Sequence, residues 1–60
     1  MIKNVENYEA VMPLKIEDIY RISKIAFWLI EHKKIAKYFQ GYVYFRKAED
    51  MVVFRLKFGL

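Results

Sequence analysis

The chain has 60 residues, a formal net charge of +4, one histidine and no cysteine. That length makes one domain at most, 1–60, and such a domain hides only about 60% of the surface its unfolded chain exposes, so a staple or a partner is normally needed. Disulfides and thiolate metal sites are excluded, structural zinc lacks its roughly four N or S ligands, and an apolar content of 57% argues against disorder.

At the start, Tyr8, Ala10 and Met12 alternate against Glu9 and Val11, which predicts a short strand near 5–11; Ile2, Val5 and Tyr8 keep a competing helical spacing. Pro13 disfavours helical geometry at Met12 and suits a helix start. A helix is predicted over about 15–39. Glu17 and Asp18 sit where the dipole favours anions, Lys33, Lys34 and Lys37 lie toward the end that favours cations, and Gly41 supplies a stop. Its main apolar stripe is Ile19, Ile22, Ala26 and Leu29, extended by Ile30, with Ile25 and Ala36 at its margin, and Glu17 with Arg21 forms a favourable i,i+4 pair.

A second stripe, Trp28, Ile35 and Phe39, falls on the nominally polar flank of that helix, while Lys33 and Lys37 fall on the extension of the core stripe. Two explanations fit. The helix bends or breaks near 31–34, rotating its apolar face, or it is continuous and buries both flanks. A continuous helix would be about 37 Å long and would outreach a two-stranded hairpin. The excess length and the Trp28, Ile35, Phe39 stripe then predict a homodimer interface, because leaving such side chains wet forfeits roughly 1.5–3 kcal/mol each.

Two alternating runs, 42–46 and 51–58, flank Lys47-Ala48-Glu49-Asp50 and predict an antiparallel hairpin. Arg46 opposite Met51 puts Val43, Phe45, Val52, Phe54 and Leu56 on one face. Tyr42, Tyr44, Arg46, Met51, Val53, Arg55 and Lys57 then fall on the other. Two strands alone are marginal, so a third must come from the N-terminal segment or a symmetry mate. The expected fold class is therefore α+β: a short N-terminal strand, one long amphipathic helix and a C-terminal hairpin. A helix followed by a ribbon resembles the last part of a winged-helix domain, with the helices that would precede it missing; the likeness is one of fold only.

Charge is unevenly placed. Residues 1–31 hold four Lys/Arg against five Asp/Glu, and residues 32–60 hold seven against two. The cationic half would attract a polyanion. The candidate nucleic-acid site is Tyr42, Tyr44, Arg46, Arg55 and Lys57 on the hairpin, joined by Lys33, Lys34 and Lys37: rings on which bases stack and cations that neutralise phosphates. Each feature also has a bland reading, namely a sheet face covered by a partner subunit and lysines that compensate a helix dipole and keep the surface soluble. Non-catalytic nucleic-acid binding of a regulatory kind, to DNA or RNA, is the leading expectation. The rival is a protein-interaction module or small accessory subunit whose rings form a homo- or hetero-oligomer interface.

Catalysis is not expected. His32 has Glu31 as its sequence neighbour, about 100° away around a helix, and Ser23 lies nine residues back. Glu49 and Asp50 read as a solvated turn. No cofactor is expected, and no Gly-rich phosphate loop or metalloprotease spacing is present. The longest strictly apolar run, Ala26 to Ile30, is far short of the roughly 20 residues of a membrane span. Peripheral membrane contact through Trp28, Ile35 and Phe39 is disfavoured by Glu17 and Glu31. No signal-peptide pattern is read at the start, so a cytoplasmic location is expected.

Overall fold

A computed structural model describes residues 8–60. The order of elements is β1 (Ala10–Pro13), α1 (Ile16–Arg21), α2 (Ser23–Glu31), β2 (Ala36–Phe39), β3 (Tyr42–Phe45) and α3 (Ala48–Phe58). The three strands form one antiparallel sheet in the order β1-β3-β2. Helices cover one face of it. The mixed α and β content agrees with expectation, but the architecture does not: there is no single long helix, and the chain ends in a helix rather than a hairpin.

The predicted helix 15–39 divides into three parts because a straight rod has too little to cover. Four-residue strands extend only about 13 Å, and the fold measures 30 Å along its longest axis, shorter than the roughly 37 Å a continuous helix would need. The first break is at Ile22, whose φ of −117° and ψ of 82° leave the helical region. Asp18 still accepts the Ile22 N–H at 2.9 Å, and the Ile22 carbonyl accepts the N–H of Ile25 at 2.9 Å. This one-residue break lets Ile19 and Ile22 reach the core from one direction and Ile25, Trp28 and Leu29 from another. Arg21 bonds Asp18 at 2.9 Å, three residues back, instead of the expected Glu17.

The second break lies where one of the two sequence explanations put it. After Glu31, His32 leaves the helix at φ −111° and ψ 29°. The Trp28 carbonyl accepts both the His32 backbone N–H at 2.9 Å and the ring Nδ1–H at 2.8 Å. The imidazole stacks on the Trp28 indole with centroids 4.1 Å apart. Ile35 and Phe39 therefore do not continue a helical stripe. Ile35 lies in the turn before β2, packed on the core, and Phe39 ends β2.

Gly41 does not stop a helix. Together with Gln40 it makes the two-residue turn between β2 and β3, with φ of 49° at Gln40 and 87° at Gly41. Positive φ at both positions marks a type I′ turn, whose twist matches that of the flanking strands. A Cβ at Gly41 would meet nothing within 4 Å, so only the backbone resists substitution. Gly41→Ala is expected to lower stability by about 1–2 kcal/mol, and Gln40→Asn to raise it, as read from urea denaturation followed by circular dichroism.

Residues 51–58, expected as a strand, form most of α3. The predicted register with 42–46 does not exist; β3 pairs instead with β1 and β2, Val11 and Lys37 flanking Tyr44, and Pro13 and Phe39 flanking Tyr42. The third strand is supplied by the N-terminal part of the chain, at 10–13. The portion of the predicted strand before Tyr8 lies outside the described residues. On α3, Met51, Phe54 and Phe58 face inward while Val52, Val53 and Leu56 are exposed, a helical sorting instead of an alternating one. Glu49 and Asp50 occupy the first turn and Arg55 and Lys57 the last, in line with the dipole. Gly59 follows at φ 68°, and the Leu60 N–H reaches the Arg55 carbonyl at 3.0 Å, the closing bond of a Schellman cap. At the other end, Glu9 caps across the fold: its Oε1 accepts the Ala48 N–H at 3.1 Å.

The core joins all three layers of sequence. Met12, Leu14, Ile25, Ala36, Val43, Phe45 and Phe54 are buried. Trp28 sits among them, its ring centroid 4.9 Å from Phe54 and 6.3 Å from Phe45, and Phe45 lies 5.4 Å from Phe54. Tyr38 points to the same side and donates its hydroxyl to the Leu14 carbonyl at 3.0 Å. No helix among the described residues is long and apolar enough to cross a membrane.

Candidate nucleic-acid interface

Strand alternation carries side chains to two faces, and the buried residues identify which is which. Ala10, Met12, Val43, Phe45, Ala36 and Tyr38 face the helices. The opposite face carries Val11 and Pro13 from β1, Tyr42 and Tyr44 from β3, and Lys37 and Phe39 from β2. No described helix packs on it. Two cross-strand rows result: Val11, Tyr44, Lys37 and Pro13, Tyr42, Phe39. Tyr42 is 47% exposed, and Lys37 is exposed, whereas Tyr44 and Phe39 are half-buried.

Tyr44 is half-covered because Tyr8 lies on it, ring centroids 5.8 Å apart and planes inclined at 56°. Arg46 continues β3 onto the same face. Its guanidinium carbon stands 5.6 Å from the Tyr8 ring centroid, and its Nε donates to the Lys34 carbonyl at 2.8 Å. The Arg46 backbone N–H is bonded to the Ile35 carbonyl at 2.9 Å. These bonds tie the Lys33-Lys34 turn to the end of β3. Four exposed cations, Lys33, Lys34, Lys37 and Arg46, thus border or stand on a surface that displays Tyr8, Phe39, Tyr42 and Tyr44.

The sequence-predicted site is partly assembled. Tyr42, Tyr44, Arg46 and Lys37 share the open face, with Lys33 and Lys34 beside it. Arg55 and Lys57 do not join them. Both belong to α3, which packs through Phe54 against Phe45, on the helical side of the sheet. Arg55 Nε donates to the Leu60 carbonyl at 3.2 Å, and Lys57 Nζ lies 5.9 Å from the Phe58 ring centroid. Of the predicted oligomer residues, Trp28 and Ile35 pack against the chain's own core, so the excess helix length that called for a partner is absent. Phe39 is redirected to the open sheet face.

Two participants were missed in the sequence. Its spacing from Trp28 and Ile35 puts Phe39 on a helix in the sequence, although its spacing from Lys37 also has strand period. The sequence reads Tyr8 only as part of a strand or a helix pattern; the pairing of its ring with Tyr44 depends on the β1–β3 register, which brings the segment before β1 onto β3.

Large apolar side chains are also exposed on the helix pair. Tyr20, Phe27 and Ile30 are 80%, 66% and 67% exposed. Ser23 and Lys24 begin α2 beside them, and Glu31 ends it. No family model, curated protein or solved structure matches this chain.

Proposed function

We propose that the protein binds nucleic acid, without catalysis, through the open sheet face formed by Lys37, Phe39, Tyr42, Tyr44 and Arg46 and its Lys33-Lys34 border. The observation that supports this reading is the register itself, which sets a cation beside Tyr44 and two rings side by side at Tyr42 and Phe39 on a face that no described helix covers. Aromatic faces accept bases of any sequence by stacking, and neighbouring cations neutralise the backbone. A helix pair followed by a hairpin, with an earlier strand on the hairpin's far edge, resembles winged-helix architecture more fully than the sequence suggested. In that mode the second helix of the pair enters the major groove. Here the exposed side chains of α2 include Phe27 and Ile30, with Lys24 offset by Glu31, so the hairpin carries the larger share of the electrostatics.

The test is fluorescence anisotropy of labelled single strands and duplexes at two salt concentrations. Binding should weaken steeply with added salt. Tyr42→Ala should weaken it by about 5- to 150-fold, the loss of one stacked base, and Lys37→Glu should lower both affinity and salt dependence while the circular dichroism spectrum is unchanged. Preference for single strands marks stacking; preference for duplex marks the hairpin as a groove-entering ribbon. Absence of binding to every probe at low salt refutes the reading.

The second reading, a protein-interaction module, is favoured by Tyr20, Phe27 and Ile30, whose exposure is high for large side chains on neighbouring helices. Under it, Phe27→Ser would abolish partner capture and leave nucleic-acid titrations unchanged.

A further inference from the structure

The outer side of α3 is apolar where a solvent-facing helix is normally polar. Val52, Val53 and Leu56 are 51%, 58% and 78% exposed. With Glu49 before them, they recur at helical spacing on one side of the helix. Beside the stripe lies a groove of about 400 Å³, lined by Met51, Val52, Arg55, Leu56, Gly59 and Leu60. The Schellman bond from Leu60 to Arg55 folds the end of the chain back to form one wall.

Charge on this helix is divided by position. Both acidic residues, Glu49 and Asp50, are in the first turn, and both basic residues, Arg55 and Lys57, are in the last. That division suits one occupant in particular. A second α3 laid antiparallel about a twofold axis places its acidic turn on the basic turn of the first, and the same contact is made twice. Val53 and Leu56 of each copy then meet Leu56 and Val53 of the other at the centre, with the grooves beside them receiving the flanking side chains. A parallel pairing would instead oppose like charges at both ends.

We infer that α3 is the self-association surface of this protein and that two copies pair through it as an antiparallel, isologous helix pair. The sheet face that carries the nucleic-acid reading lies on the other side of the molecule, so the two surfaces can be occupied together and are tested separately. Eleven residues of helix make a contact about 16 Å long, at the small end of specific interfaces, so the dimer should dissociate within the micromolar to millimolar range.

Sedimentation equilibrium over that range tests the inference. The unaltered protein should move from monomer to dimer, and Leu56→Glu should raise the dissociation constant by about tenfold or more. Leu56 is exposed, so the variant should keep its circular dichroism spectrum; Val53→Lys serves as a second variant if it does not. Orientation is read by charge reversal. Glu49→Lys with Asp50→Lys, and separately Arg55→Glu with Lys57→Glu, should each remain monomeric, whereas the protein carrying all four changes should regain the homodimer and should not pair with the parent chain; pairing with the parent instead marks a parallel arrangement and overturns the inference. A monomer at every concentration overturns the inference. So does a dimer that survives both Leu56→Glu and Val53→Lys, which would place the interface elsewhere.

Discussion

Phe54→Ala is expected to leave the chain largely unfolded at room temperature. Phe54 is completely buried and its ring meets Trp28, Phe45 and Phe58 at centroid distances of 4.9, 5.4 and 5.0 Å. It is the residue by which α3 is held to the sheet. Truncating a buried phenylalanine costs about 3–5 kcal/mol, because the lost transfer energy is joined by the cavity left behind. A core of this size rarely supplies more than about 3–5 kcal/mol in total. The same experiment separates helix from strand at the end of the chain. Had 51–58 been a strand, Val52 and Leu56 would share the buried face with Phe54 and their truncation would be severe. On α3 they are exposed, so Val52→Ala and Leu56→Ala should each stay within about 0.5 kcal/mol of the parent in dilute solution. Circular dichroism without denaturant reads the loss at Phe54, and urea denaturation followed the same way reads the Val52 and Leu56 variants.

Trp28→Ala has an effect of similar size, about 3–5 kcal/mol, and its signature is independence of protein concentration. Trp28 joins α2 to both the sheet and α3, and its other side is stacked on His32. If the indole were an intermolecular anchor, its removal would lower the melting temperature mainly at concentrations where the oligomer is populated. An intramolecular role predicts the same loss at every concentration. His32→Ala should cost less, about 0.5–1.5 kcal/mol, through loss of the Nδ1–H bond to the Trp28 carbonyl. Because Trp28 is the sole tryptophan, its fluorescence reports unfolding of this cluster directly in the parent and the His32 variant.

The open sheet face was legible residue by residue but not as an assembly. Alternation in Tyr42-Val43-Tyr44-Phe45 marks which side chains face the core and which face outward, and β3 obeys it, since a strand with one buried face tolerates no slip. Tyr42, Tyr44 and Arg46 are thereby put on one face, whereas the sequence reading puts Lys37 on a helix. Their neighbours across the sheet are not, because pairing partners lie as many as 35 positions apart, as between Ala10 and Phe45. Arg55 and Lys57 were assigned to the face through a hairpin that does not form, and Phe39 was taken from it by a helix that stops eight residues earlier.

By itself the sequence determined that the chain combines α and β structure, that Ile19, Ile22 and Leu29 turn toward a core, and that positive charge concentrates in the second half. These are local or additive properties. Met51-Val52-Val53-Phe54, by contrast, satisfies helical and alternating patterns alike, and a short apolar run carries no energy difference large enough to choose between them. The choice is made where Phe54 can reach Trp28 and Phe45 at once, which α3 permits with Phe54 as its inward residue. The breaks at Ile22 and His32 have the same origin. Propensity favours one continuous helix by small increments, whereas folding it in three brings Ile25, Trp28 and Ala36 onto the same core, and burial outweighs the helical hydrogen bonds that are given up.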